Sequence, residues 1–151
     1  MIKRMITKAI CAHLGGITFP PMKEGQKESC LPVFAEPLRG DSPGEALHFC
    51  FIDSHMYKMP GGRFEFEGIG MISILTSCHK ENRVQRLQDI ADAIVLDGRA
   101  LRSGEIEALL SMPEVKITTE AATIKFRVCS FLLWQETAPK INNIFYQGRI
   151  Q

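Results

Sequence analysis

The order of secondary-structure elements between Arg63 and Trp134 constrains the fold of this chain more than any single motif does. The pattern predicts one long strand, a helix with an apolar stripe, a short capped helix and a closing pair of strands. A sheet and an amphipathic helix must each bury one face, so elements in this order pack against each other. We therefore predict an α+β fold with an antiparallel or mixed β-sheet, on which an N-terminal helix and a central helix pack on one face.

The N-terminal helix is indicated by apolar residues that recur three and four positions apart, with basic residues on the other side. These apolar residues are Ile2, Met5, Ile6, Ala9, Ile10 and Leu14. Gly15 and Gly16 end the helix, because glycine adopts the left-handed geometry of a helix C-terminus at little cost.

Short strands and turns are predicted between the two helices. The run Leu31–Glu36 contains Pro32 and is followed by Pro37, so it suits an edge strand or an extended segment, since proline donates nothing to a ladder. Alternation over 47–52 predicts a strand, and Pro60–Gly62 predicts the turn into the next one. Gly68 and Gly70 interrupt that next strand, which indicates a bulge or the close approach of another backbone.

The central helix is predicted from about Glu81 to Leu96. Its apolar stripe is predicted to cover the sheet through Val84, Leu87, Ile90, Ala91 and Ile94. Its polar side is predicted to be a solvated, salt-bridged surface that carries Arg83, Arg86, Asp89 and Asp92. A short helix is predicted next, because Ser103 suits an N-cap, acidic residues follow it and Pro113 ends the run.

Two closing strands, Val115–Thr119 and Ile124–Leu132, are predicted to pair antiparallel. The second half of the last strand, 130–134, is apolar on both faces, as buried strand ends or subunit contacts are. After Thr137 the periodicity is lost. We predict a single α+β domain over 1–136 and a C-terminal tail over 137–151 that is extended or docks on a partner. The residues predicted to contact an oligomer neighbour or a partner are Phe131, Leu133, Trp134, Ile144, Phe145 and Tyr146.

The charge balance argues against nucleic acid as the main partner. Eighteen lysines and arginines against seventeen acidic residues give a net charge of +1, without the basic excess that neutralises phosphates. No apolar run has the length of a signal peptide or a membrane span. We expect a soluble intracellular protein with no specific nucleic-acid partner and no membrane partner.

Candidate catalytic and metal sites are weak in this sequence. Four residues could meet across two strands as a zinc site, although neither pair has the two-residue spacer of common zinc loops: His48, Cys50, Cys78 and His79. A nucleophilic pair such as Cys78 with His55 is undetermined, because five cysteines and four histidines offer many such combinations. We expect no catalytic, cofactor-binding or metal residue, and leave open a small α+β enzyme that uses Cys78 or a histidine.

The succession of elements also resembles a known family. An N-terminal helix, a strand, a long hairpin, the helix Arg83–Ile94 and a strand pair that ends in Arg127–Leu133 resemble the tail terminator, or tail completion, proteins of long-tailed phages and prophages. The segment 89–94, Asp-Ile-Ala-Asp-Ala-Ile, is the piece most similar to the central helix of that family. The similarity covers most of residues 1–135.

The resemblance implies a structural minor tail protein that forms a hexameric ring, in some relatives only on assembly. The ring caps the tail tube, terminates its polymerisation and joins it to the head. The implied partners are other copies of the chain, the major tail tube protein and a head completion or connector protein. The implied location is the host cytoplasm during assembly and then the virion tail. The linker 97–113 and the tail after 135 are longer than expected for this family, which keeps a head-to-tail connector as the alternative.

Overall fold

A computed structural model describes residues 2–21, 25–35, 44–97, 100–103 and 106–133 of the chain. In these ranges lie two helices, α1 (Ile2–Gly15) and α2 (Lys80–Asp97), and six strands: β1 (Val33–Phe34), β2 (Ala46–Met59), β3 (Arg63–Leu75), β4 (Ala100–Ser103), β5 (Ile106–Ile117) and β6 (Ala122–Leu133). The strands form one sheet in the order β1-β2-β3-β6-β5-β4, in which β1 runs parallel to β2 and the other described pairs are antiparallel. The predicted α+β fold with a mixed sheet is confirmed.

Both helices pack on the same face of the sheet. Ile6 and Ile10 of α1 and Leu87 and Ile90 of α2 are fully buried in one core with Phe49, Ile72, Ile74, Ile124 and Val128 of the strands. The covered strand residues stand at every second position, as the two-residue period of a strand requires. On the opposite face Ile69, Lys125 and Arg127 are exposed. Helices therefore cover one side of the sheet, as the sequence predicts for α1 and α2. The predicted stripes are wrong at Met5 and Val84, which are exposed.

The glycines of β3 lie where the fold leaves no room for a side chain. A Cβ at Gly70 would stand 2.8 Å from Cε1 of Phe49 and 3.1 Å from Cζ of Phe126. Those two rings, from the strands on either side, stack with centroids 6.0 Å apart. At Gly68 a Cβ would stand 2.8 Å from the backbone oxygen of Asp53, so the predicted close approach of another backbone is confirmed there, whereas side-chain rings fill the space at Gly70. The predicted bulge lies on the partner strand β2, between Phe51 and Asp53.

The turn at Pro60–Gly62 joins β2 to β3 as predicted, and both glycines have positive φ angles, 83° at Gly61 and 76° at Gly62. Glycine occupies such positions without the steric cost that a Cβ brings. The predicted edge strand near Leu31–Glu36 is the two-residue β1 at the margin of the sheet.

The helices α1 and α2 of the described ranges lack the combination of length and apolar character needed to cross a membrane.

The short helix predicted between Ser103 and Pro113 is wrong. Ile106–Ile117 is the strand β5, which pairs with β6 on one side and, up to Leu109, with β4 on the other. Pro113 falls where the pairing with β6 is interrupted, between Ser111 and Glu114, so its missing N–H removes no hydrogen bond from a regular ladder. Pairing in the sheet overrides the local helix signal of this segment.

Candidate functional site

An apolar pocket of about 410 Å³ lies where the C-terminal ends of both helices meet the middle of β5. Its floor is formed by Ile72, Ile124 and Phe126 from the covered face of the sheet. The volume is within the range of roughly 300–1,000 Å³ that is typical of ligand pockets. This pocket is the candidate functional site of the described residues.

The walls of the pocket come from three elements. Leu14 is the contribution of α1, and α2 supplies its last turn from Ile94 to Leu96. The third wall is the segment of β5 from Leu110 to Pro113, in which the Ser111 hydroxyl is a polar group. His13 and Asp97 lie at the same end of the helices, with 3.7 Å between Nε2 and Oδ2.

The interruption in β5 shapes the rim of the pocket. Met112 has a φ of 54°, in the left-handed region that costs an L-residue about 1–2 kcal/mol. Its side chain is 72% exposed, and that of Leu96 across the pocket is 81% exposed. Two large apolar side chains thus stand in solvent beside an apolar cavity, an arrangement that favours contact with another apolar group.

The other end of the helical layer is closed by a buried ion pair. Arg86 donates through Nε and Nη2 to the two carboxylate oxygens of Glu45, at 2.6 and 2.7 Å, and through Nη1 to the carbonyl of Pro20 at 2.5 Å. The hydroxyl of Thr76 also donates to Glu45, at 2.7 Å. The residues so joined lie in α2, after α1, just before β2 and after β3. The pair therefore holds four parts of the fold together.

The environment of Glu45 favours its charged form. Burial opposes ionisation, but the hydrogen bonds from Arg86 and Thr76 and the charge of Arg86 outweigh it, so the pKa of Glu45 lies below its ordinary value. The hydrogen bond with Glu45 likewise raises the pKa of Arg86 above its ordinary value, against the opposing effect of burial. With its charge and donors engaged in this way, Arg86 has a structural role. The prediction that Arg86 belongs to a solvated surface is wrong, since it is 7% exposed.

The residues considered for a zinc site or for nucleophilic chemistry do not lie together in the structure. His48 and Cys50 are opposite Ser73 and Met71 in the β2–β3 ladder, whereas Cys78 and His79 follow β3 in the connection to α2. Among the described residues no group of three or more His, Cys, Asp or Glu side chains could hold a metal ion.

The pair of Cys78 with His55 is not formed either. His55 is opposite Glu67 in the β2–β3 ladder, and Cys78 lies beyond Leu75, the last residue of β3. The rise of a strand, roughly 3.3 Å per residue, puts about 26 Å between Glu67 and Leu75 alone. His55 therefore lies beside the first half of β3 and Cys78 lies beyond its far end, too far apart to form a pair.

The predicted contact residues fall largely outside the described part of the chain. In the backbone of β6, Phe131 is opposite Glu107 and Leu133 is opposite Arg63. Outside the described residues lie Trp134, the tail 137–151 and the three tail residues Ile144, Phe145 and Tyr146.

The lining of the pocket suits apolar contact. It is built from aliphatic, aromatic and thioether side chains with the hydroxyl of Ser111 among them, so it can take up an apolar side chain or an apolar ligand. Sequence reasoning missed this site, because it treated Leu110–Pro113 as the end of a helix. Compared with protein-family models and with curated proteins, the chain matches none of them.

Proposed function

We propose that this chain is a structural protein of phage or prophage tail assembly that forms a ring, caps the tail tube, terminates its polymerisation and joins it to the head. Its partners are other copies of itself, the major tail tube protein and a head completion or connector protein. It acts in the host cytoplasm during assembly and then in the virion tail. The observation that carries this proposal is the outer margin of β2, which has the properties of a subunit contact.

The margin of β2 is open over most of its length. Within the described ranges, β1 pairs with Leu47 and His48, and no described strand pairs with the outer edge of β2 after His48. An unpaired edge is a template for a strand of another chain. A ring needs a heterologous contact of this kind, in which one surface of a subunit meets a different surface of the next.

The side chains of this strand support the same interpretation. Ile52, Met56 and Tyr57 are each about half exposed. Long, exposed and partly apolar edge strands are a liability in monomers, which usually cover or charge them. A neighbouring subunit would remove these groups from water.

Co-assembly tests the proposal. Mixed with its cognate tail tube protein, the chain is expected to cap tubes and fix their length, and deletion of its gene is expected to give overlong tubes without heads. Met56→Lys places a charge in the proposed contact and should reduce capping. Val84→Lys is the matched control, because Val84 is similarly exposed but lies on α2.

Tubes of unchanged length in the deletion strain would refute the terminator role. That result would favour a head-to-tail connector, the second candidate. One observation supports the connector: after α2 the chain adds β4 and β5 to the sheet, in the region where it departs from the terminator pattern.

A further inference from the structure

We propose that the apolar pocket between α1, α2 and β5 is the docking site of the chain's own C-terminal segment, with Ile144, Phe145 and Tyr146 as the inserted side chains. Docking of this segment does not depend on a role in tail assembly. The proposal states what fills the pocket and where the most apolar part of the tail binds.

The pocket has the size and chemistry for this occupant. Its volume of about 410 Å³ is between two and three times that of the roughly 150 Å³ apolar cavity that admits a benzene molecule. There is thus room above Ile72 and Phe126 for two of the three large side chains, and the third would lie at the rim. Leu96 and Met112 at the rim are exposed, and a segment lying between them would cover both.

The tail contains one uncharged apolar cluster that fits these requirements. Ile144, Phe145 and Tyr146 are consecutive, whereas Lys140 and Arg149 carry charges on either side. An aromatic ring gives a large buried area, and a tyrosine hydroxyl can remain in water at the rim of a pocket. The cluster therefore supplies apolar anchors without burying a charge.

The reach of the chain also agrees with the proposal. Phe131 is opposite Glu107, so Leu133 at the end of β6 lies two residues before the level of Glu107. Met112 lies five residues after Glu107, so about seven residues, or about 23 Å by the rise of a strand, separate it from Leu133. Phe145 is twelve residues after Leu133, a distance that spans at most about 43 Å when extended. A coil of that length has a root-mean-square span of roughly 20 Å. The tether is thus matched to the distance it has to bridge.

This match favours the tail of the same copy over that of a second copy. A tether whose span equals the distance between two sites gives an effective concentration in the millimolar range. A second copy at micromolar concentration cannot compete with that. The same three residues become available to a neighbouring subunit once they leave the pocket.

Photocrosslinking in the full-length chain tests the proposal. With p-benzoylphenylalanine in place of Phe145, irradiation is expected to give adducts on Met112 or Leu96, located by mass spectrometry. The same group in place of Tyr57, on β2, is the control and should leave both residues unmodified. Adducts from position 145 that avoid the pocket would overturn the proposal. A mixture of ¹⁵N-labelled and unlabelled chains would reveal a second copy as the occupant, since its crosslinks join the two isotopes, and that result would also overturn it.

Dye binding gives an independent measurement. Phe145→Asp should release the tail and raise the fluorescence of bis-ANS several-fold, and adding Met112→Asp should bring the signal back down. Gln147→Asp, which adds the same charge two residues away, is expected to leave the fluorescence unchanged. An unchanged signal in Phe145→Asp would contradict docking of the tail.

Discussion

The first half of α2 carries Arg86, which is buried and bound to Glu45 and Pro20, whereas its last turn borders an apolar pocket with Leu96 standing in solvent. At the first end the side chains satisfy one another, so the arrangement has a single geometry. At the last turn of α2 the apolar side chains around the pocket are exposed to solvent and can contact a further apolar group. One helix thus combines a fixed attachment to the sheet with a surface that is available for docking. Substitutions at the two ends should differ strongly in their effect on stability.

The largest effect on stability is expected in the first half of α2, which the buried ion pair of Arg86 and Glu45 closes. Arg86→Met leaves the carboxylate of Glu45 buried without its partner and should lower the free energy of unfolding by about 3–5 kcal/mol. Urea unfolding followed by circular dichroism measures this loss. The double variant Glu45→Leu with Arg86→Met removes both charges and should recover most of the stability. If Arg86→Met unfolded like the wild type, the ion pair would not be what fixes this end.

Between the two ends, the stripe of α2 should respond as a packed core. Ile90 is fully buried, and Ile90→Ala removes methyl groups and leaves a cavity, at an expected cost of about 2–5 kcal/mol. Thermal unfolding is the measurement. Val84→Ala, on the exposed side of the same helix, is the control and should change stability by less than about 0.5 kcal/mol. A wild-type melting temperature for Ile90→Ala would mean that the stripe is misplaced.

The pH dependence of stability should report on the buried ion pair of Glu45 and Arg86. The pKa of Glu45 is lowered in the folded state, so the unfolded chain binds more protons and stability falls as the pH falls. The contribution is complete above the ordinary glutamate value of 4.5 and is lost as the pH drops through the lower folded pKa. Melting temperatures from pH 6 to about 3 test this linkage. Glu45→Gln should show a shallower decline, and an equal decline in both proteins would assign the acid sensitivity to other carboxylates.

The smallest effect on stability is expected at the rim of the apolar pocket, beside the last turn of α2. Met112→Gly relieves a left-handed backbone, while glycine raises the entropy of the unfolded chain, so the two effects offset each other to within about 1 kcal/mol. Chemical denaturation of the variant beside the wild type measures the difference. A loss above about 2 kcal/mol would place Met112 among the core residues and would weaken the contrast between the ends.

The sequence predicts the elements whose pattern agrees with their final environment. The three-and-four spacing of α1 and α2 predicts helices because the same residues, among them Ile6 and Ile90, meet the sheet. Gly70 is also informative, since the two neighbouring rings require a residue without a Cβ.

The segments that the sequence misplaces are those decided by distant contacts. Ile106–Leu110 has a local helix signal, but β4 and β6 on either side make it a strand. Arg86 looks like a surface charge until Glu45, forty-one residues away, is placed beside it. The pocket depends on that misassigned strand, so neither its walls nor its exposed rim could be inferred from the residue pattern.

The position of β6 has a consequence for how the protein is made. It is the last described strand in the chain, yet it lies between β3 and β5 in the interior of the sheet. Until residues 122–133 have left the ribosome, β3 and β5 have no strand to join them. At about 5–20 residues per second, the edge of β3 stays unpaired for roughly 3–12 seconds and that of β5 for roughly 1–3 seconds. The nascent chain is therefore exposed to aggregation until β6 is complete, and a premature stop before Ala122 should yield a product that proteases remove.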